Sequence, residues 1–276
     1  MNDNLDKSPL GKKNTYKSTY DKSLLFPISR DEKRKEIGID KNHLPFYGYD
    51  LFNAYEVSWL NQNGKPLVKI AQIYYNASSD YLIESKSLKL YLNSFNNNNF
   101  SNENEVIRTI QKDLKEFLKT DVHVSFKDLS TKDQIFSPSA ICIDEIDVIA
   151  PKYNKVDSNI IELEKTKTQV SESLYSNLLK SNCLITGQPD WGTIEINYTG
   201  QGINHESLLK YIISYRNHNE FHEQCIERIF MDIKNICNTK SLSVLGRYTR
   251  RGGIDINPFR STNEHFKISN QRLIRQ

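Results

Sequence analysis

The same order of hydrophobic patterns runs twice through this chain of 276 residues. In the first half, two strand-like runs, Ala54–Leu60 and Leu67–Tyr75, flank an Asn61-Gln62-Asn63-Gly64 cluster that predicts a hairpin turn. Leu88, Tyr91, Leu92 and Phe95 then recur at helical spacing within Glu84–Phe95, and Asn96–Asn99 breaks that helix. A second helix opens with Asn102 and, three residues on, Glu105, in the manner of a capping box. Its apolar stripe is Val106, Ile107, Ile110, Leu114 and Phe117. Strands are predicted at Val122–Phe126 and Ala140–Ile149, and the charged stretch 150–180 reads as a bridge.

After the bridge the pattern returns. Thr193–Tyr198 alternates as a strand, and Glu206–Tyr215 forms a short helix that Asn217–Glu220 breaks. Glu223–Cys237 is a long periodic helix and Leu242–Tyr248 another strand. Ser94–Phe100 (SFNNNNF) also aligns with Ser214–Phe221 (SYRNHNEF) after one inserted residue. Repetition on this scale points to tandem duplication of an α+β unit. The competing account is that two unrelated α+β domains look alike because amphipathic helices do. The predicted organisation is an arm over residues 1–45, a first module over 46–150 and a second over 151–276.

Composition narrows the classes. With 37 basic and 34 acidic residues, the net charge of +3 gives no electrostatic footprint for direct nucleic-acid binding. No apolar run approaches the ~20 residues of a membrane span, and the opening MNDNLDKSPLGKKN lacks a signal-peptide core. The four cysteines, Cys142, Cys183, Cys225 and Cys237, lie too far apart for a zinc ribbon or a disulfide framework. A cytoplasmic protein without a metal is expected. No G-x-G-x-x-G occurs, so a Rossmann site is not supported.

The most chemically suggestive stretch is Ser181–Gly192, SNCLITGQPDWG. Gly187, Pro189 and Gly192 punctuate a turn that brings the Cys183 thiol toward the Asp190 carboxyl. A thiolate can attack an electrophile while a carboxyl handles protons. On spacing alone, a space-filling thiol and a turn-capping aspartate are the favoured account of the pair.

Four stretches, in order, carry a resemblance: ESKSLKLYLNSF (84–95), SNCLITGQPDWG (181–192), YRNHNEFHE (215–223) and RYTRRGGIDINPFR (247–260). Together they resemble the NADPH-dependent 7-cyano-7-deazaguanine reductases, the nitrile reductases of queuosine (tRNA modification) biosynthesis, in their long two-module form. The first half lacks FHE and reads NNNNFSNEN, while the second has HESLLKYI in place of ESKS, so each half keeps a different part of one site.

The resemblance implies two tandem tunnelling-fold modules, each an antiparallel sheet with paired helices on one face, assembling as a homodimer. It implies reduction of the nitrile to a primary amine with two NADPH, through a covalent thioimidate. Cys183 resembles the nucleophile and Asp190 the proton donor, whose burial would raise its carboxyl pKa. Ile83, Glu84, Ser85, His222 and Glu223 match substrate positions. Glu223 would accept two hydrogen bonds from the deazaguanine edge, although it also suits a helix N-terminus. Ser85, Lys86, Arg251 and Gly252 match NADPH positions; without the resemblance they read as a polar helix start and a basic turn. A zinc-dependent cyclohydrolase and a non-catalytic purine- or pterin-binding module are the alternatives.

Overall fold

A computed structural model describes residues 16–150, 153, 155–166, 168–266 and 269–276. Residues 1–15 of the predicted arm lie outside the described residues. In chain order the elements are β1 (Pro27–Ser29), α1 (Asp31–Glu36), β2 (Tyr47–Leu60), β3 (Pro66–Asn76), β4 (Tyr81–Ile83), α2 (Ser85–Asn93), α3 (Glu103–Leu118), β5 (Val122–Lys127), β6 (Ile135–Phe136), β7 (Ile141–Cys142), β8 (Gln169–Asn182), β9 (Pro189–Gln201), α4 (His205–Ser214), α5 (His222–Cys237), β10 (Ser241–Tyr248), β11 (Ile254–Ser261) and β12 (Arg272–Leu273). They form two compact α+β units. Among the described residues, unit 1 falls within 1–32, 49–132 and 250–255, and unit 2 within 33–48, 133–249 and 256–276. No helix among the described residues is long and apolar enough to cross a membrane.

Unit 1 is built on the antiparallel order β5-β3-β2. The β2–β3 turn falls where the Asn/Gly cluster predicts it. Gly64 has φ +77°, and Asn61 Oδ1 accepts from the backbone N–H groups of Asn63 and Lys65. Alternation along β3 buries Ala71, Ile73 and Tyr75. Against this sheet lies the buried stripe of α3, Val106, Ile110, Leu114 and Leu118. The capping box at its start is displaced. Asn102 Oδ1 caps the Glu105 N–H at 3.1 Å, but the Glu105 carboxylate reaches back to the Ser101 N–H at 2.8 Å instead of that of Asn102.

Unit 2 carries the order β11-β10-β9-β8-β7, antiparallel except for the β7–β8 pair. Two expectations fail here. The strand expected at Ala140–Ile149 shrinks to Ile141–Cys142. The presumed bridge 150–180 instead contains most of β8, a 14-residue strand. Its buried face alternates Leu174, Ser176, Leu179 and Ser181, and the serines conceal the period-2 apolar signal. Gly200 and Gly246 on β9 and β10 lie where an added Cβ would press against the Cys237 carbonyl and the Ile226 side chain, respectively.

Details repeat between the units. In α2 and at its C-cap, the Ser87 and Ser94 hydroxyls donate to the Glu84 and Tyr91 carbonyls at 2.7 and 2.6 Å. In α4, Ser207 and Ser214 do the same to Asn204 and Tyr211, also at 2.7 and 2.6 Å. Tyr91 OH donates to Asp113 of α3 at 2.7 Å, and Tyr211 OH to Asp232 of α5 at 2.5 Å. Both α3 and α5 have 16 residues and end in a left-handed cap, Lys119 (φ +54°) and Asn238 (φ +45°).

The described part of the arm packs closely. Tyr20 OH donates to Asp113 in unit 1, where Arg30 also pairs with buried Asp50. Within unit 2, Arg34 makes a two-pronged pair with Glu227 of α5, and Phe46 lies edge-on to Phe230 at 5.5 Å.

Candidate active site

In unit 2 the loop between β8 and β9 presents the predicted thiol. The Cys183 N–H donates to the Gln188 carbonyl at 2.8 Å, and the Gly187 N–H donates to the Cys183 carbonyl at 3.0 Å. Gly187 has φ +64°, a left-handed conformation that glycine adopts without a Cβ penalty. Two residues before the thiol, Ser181 stands directly opposite Asp190 in the ladder. Alternation therefore places Ser181, Cys183 and Asp190 on one face of the hairpin. Cys183 is 8% exposed and Asp190 2%.

A second segment is zipped to the same loop. The Asn182 N–H donates to the His218 carbonyl at 2.8 Å, and the Glu220 N–H to the Asn182 carbonyl at 3.1 Å. This docks residues 218–220 and delivers the start of α5, where His222 and Glu223 stand in the first turn. His222 Nε2 lies 3.6 Å from Asp190 Oδ1, too long for a hydrogen bond but close enough for an ion pair once the imidazole is protonated. Glu223 is buried. Four predicted residues, Cys183, Asp190, His222 and Glu223, thus belong to one unit, with His222 beside Asp190.

Their surroundings include Tyr248, which the sequence reading did not single out, and Cys225, which it gave no role in the chemistry. The Tyr248 ring lies 4.2 Å from the His222 ring, edge-on, and stands opposite Gly192, where any Cβ would sit 3.1 Å from it. Burial drives the Tyr248 phenol well above its ordinary pKa, so it stays protonated. Burial likewise pushes the Cys225 thiol well up, leaving it a poor nucleophile. Tyr248 belongs to the RYTRRGG stretch and Cys225 follows FHE, so position in a motif was the available signal.

Glu220, also buried, supports the docked segment. Burial pushes its carboxyl up, but His218 at 3.0 Å and the two-pronged Arg228 outweigh burial and hold its pKa at about 2. Its ordinary value is 4.5, so the unfolded chain protonates first as pH falls. The stabilisation is complete above pH 4.5 and is lost progressively toward pH 2, amounting to on the order of 3 kcal/mol. Thermal melts from pH 6 to pH 3 are expected to show a steeper acid decline in wild type than in Glu220→Gln.

The remaining predicted residues lie in unit 1. Ile83 ends β4, is 2% exposed, and its N–H donates to Tyr75 OH at 3.2 Å. Glu84 is the N-cap of α2, its carboxylate accepting from the Lys86 and Ser87 N–H groups at 2.6 and 2.7 Å. Burial raises the Glu84 pKa, against the pull of those two hydrogen bonds. Ser85 and Lys86 open the helix and are half-buried. One turn further on, Lys89 donates to the Gly252 carbonyl and pairs with Glu56 at 3.2 Å. Lys89 thereby ties the turn containing Arg251 and Gly252 to α2, the helix that Ser85 and Lys86 open. Gly252 has φ +59°, and an added Cβ would sit 2.9 Å from the Lys89 side chain. Lys89 lies inside ESKSLKLY and was overlooked there.

Comparison with known proteins agrees. Residues 16–126 match a family described as nitrile reductase, 7-cyano-7-deazaguanine-reductase N-term, and residues 189–267 match one described as QueF-like protein. The chain is 52% identical to the NADPH-dependent 7-cyano-7-deazaguanine reductase of Rickettsia prowazekii, over 99% of each chain. This chain belongs to that family. A Coxiella burnetii member is 50% identical over 98% of this chain and 97% of its own. The matched ranges include every predicted site residue except Cys183, which falls between the two family matches but within the full-length likeness to the relatives.

Proposed function

We propose that the chain reduces the nitrile of 7-cyano-7-deazaguanine to 7-aminomethyl-7-deazaguanine through a thioimidate on Cys183. The observation that carries this reading is the hairpin that sets Cys183 and Asp190 on one buried face, with His222 and Glu223 delivered beside them. The Cys183 thiolate adds to the nitrile carbon, and Asp190 gives its proton to the nitrogen, where negative charge develops. The near-complete burial of Asp190 supports its acting as an acid. Glu223 accepts hydrogen bonds from the deazaguanine edge and His222 orients the ring, with Ile83, Glu84 and Ser85 as further substrate contacts.

NADPH, when bound, supplies hydride. The cations of Lys86 and Arg251 suit its phosphates, beside the α2 N-terminus at Ser85 and the open backbone of Gly252. One hydride to the thioimidate carbon lets the C–S bond break, returning the electrons to Cys183 and leaving an imine. A second hydride to that carbon, with a proton to nitrogen, completes the amine. The repeated hydrogen-bond details of α2–α3 and α4–α5 support two tandem tunnelling-fold modules. A cytoplasmic homodimer is the assembly expected of the family. With purified protein, nitrile consumption is expected to oxidise two NADPH per molecule. A ratio of one, or no oxidation, overturns the reading.

A further inference from the structure

Strand β8 is bulged: its pairing with β9 shifts register between Ser176 and Leu179. A bulge re-aims the residues that follow it. Here those are Leu179–Asn182, which lead into Cys183. Beyond the bulge Ser181 meets Asp190, so the bulge decides which β8 residue faces that carboxylate. A one-residue slip would turn Ser181 and Cys183 to the opposite face.

The bulge is stitched from several sides. Asp144 accepts from the Ser176 hydroxyl at 2.6 Å, the Asn177 N–H at 3.0 Å and Asn177 Nδ2 at 2.9 Å. Thr193 Oγ1 donates to Asn177 Oδ1 at 2.8 Å. Arg275 closes the set. Its Nη2 donates to the Asn177 carbonyl at 2.5 Å, the Gly192 carbonyl at 2.7 Å and Thr193 Oγ1 at 3.3 Å. It therefore spans the bulge on β8 and the strand that carries Asp190.

The next residue reaches the other neighbour. Gln276, 4% exposed, donates through Nε2 to the Tyr248 carbonyl at 3.2 Å and to Asn257 Oδ1 at 2.7 Å. Tyr248 is the residue whose ring packs on His222. The segment is itself anchored: Leu273 is buried, its N–H donates to Gln276 Oε1 at 3.2 Å, and β12 pairs with β6. Burial pulls the Arg275 guanidinium below its ordinary pKa, opposed by the charge of Asp144. The three acceptors of Arg275 Nη2 are neutral, so these contacts fix geometry and add no charge pair to the site.

The geometry points to Arg275 as a positioning residue for the reaction: it locks the bulge register that sets Cys183 against Asp190, while Gln276 steadies the strand end under His222. This rests on the reading of Cys183 and Asp190 as nucleophile and proton donor. The test compares wild type, Arg275→Ala and Arg275→Lys by kcat and KM for 7-cyano-7-deazaguanine, thermal melting, and backbone hydrogen exchange at 181–184 and 190–193. Arg275→Ala is expected to lose about 10- to 100-fold in kcat, with KM changed less than about 3-fold. Its exchange at both segments rises while the melting transition stays cooperative. Arg275→Lys, whose ammonium keeps the charge and the donors but ends one bond short of the position of Nη2, falls between. Wild-type kcat and exchange in Arg275→Ala overturn the inference, as does a kcat loss that vanishes on cooling well below the melting point. Should wild type itself turn over no nitrile, the functional reading has failed instead. The exchange comparison then still decides whether Arg275 holds the register.

Discussion

Wild-type protein mixed with 7-cyano-7-deazaguanine in the absence of NADPH is expected to gain the full mass of the nitrile, and Cys183→Ala to gain nothing. Addition of a thiolate to a nitrile loses no atoms, so the whole substrate mass stays on the protein. Peptide mapping should place it on Cys183, which lies in the loop facing Asp190. Cys225 lies buried in α5 with its thiol held protonated, and Cys237 is likewise pushed up to about 12 by burial. Neither supplies thiolate at neutral pH. Nitrile-dependent NADPH oxidation should fall by at least about 1,000-fold in Cys183→Ala, the scale on which loss of a covalent nucleophile is felt. An adduct on any other cysteine, or turnover that survives the substitution, rules out Cys183 as the nucleophile.

The second large effect is on stability. Glu227 of α5 accepts from two buried arginines, Arg34 at 2.7 and 2.9 Å and Arg260 at 2.8 and 3.1 Å. All three residues are at most 3% exposed. Glu227→Ala leaves two buried guanidinium groups without this carboxylate. Breaking such a cluster costs about 3–5 kcal/mol, a large share of the ~5–15 kcal/mol of a typical domain. Chemical denaturation should show the midpoint falling strongly, and Glu227→Gln, which keeps an acceptor but not the charge, should lie between. A midpoint within error of wild type would show that the arginines find other partners. The arm residue Arg34 is part of this cluster, so removing residues up to 36 should destabilise unit 2 in the same direction.

Much of this protein is local and was open to reading from the chain. The β2–β3 turn is dictated by Asn61 and Gly64, whose side chain and backbone make the turn themselves. The long helices are dictated by stripes such as Ile226, Ile229, Phe230 and Ile233, because a 3.6-residue period needs only its own sequence. The β8–β9 turn that carries Cys183 and Asp190 was legible because Gly187 and Pro189 make it from residues a few positions apart. What escaped were features whose cause lies far away in sequence. Serines at 176 and 181 disguised β8, since their burial is settled by the elements packed over them. Lys89 gained its role only when residue 252 came to lie against α2. Nothing in the local sequence marks Arg275 or Arg34; the fold placed them on the β8 bulge and on Glu227. The sequence by itself determined the long helices, the β2–β3 turn and the stretches by which the family is recognised, because each depends on neighbours along the chain. Only the tertiary structure decided which distant groups hold those stretches in register, because hydrogen bonds and ion pairs between remote segments leave no periodic trace.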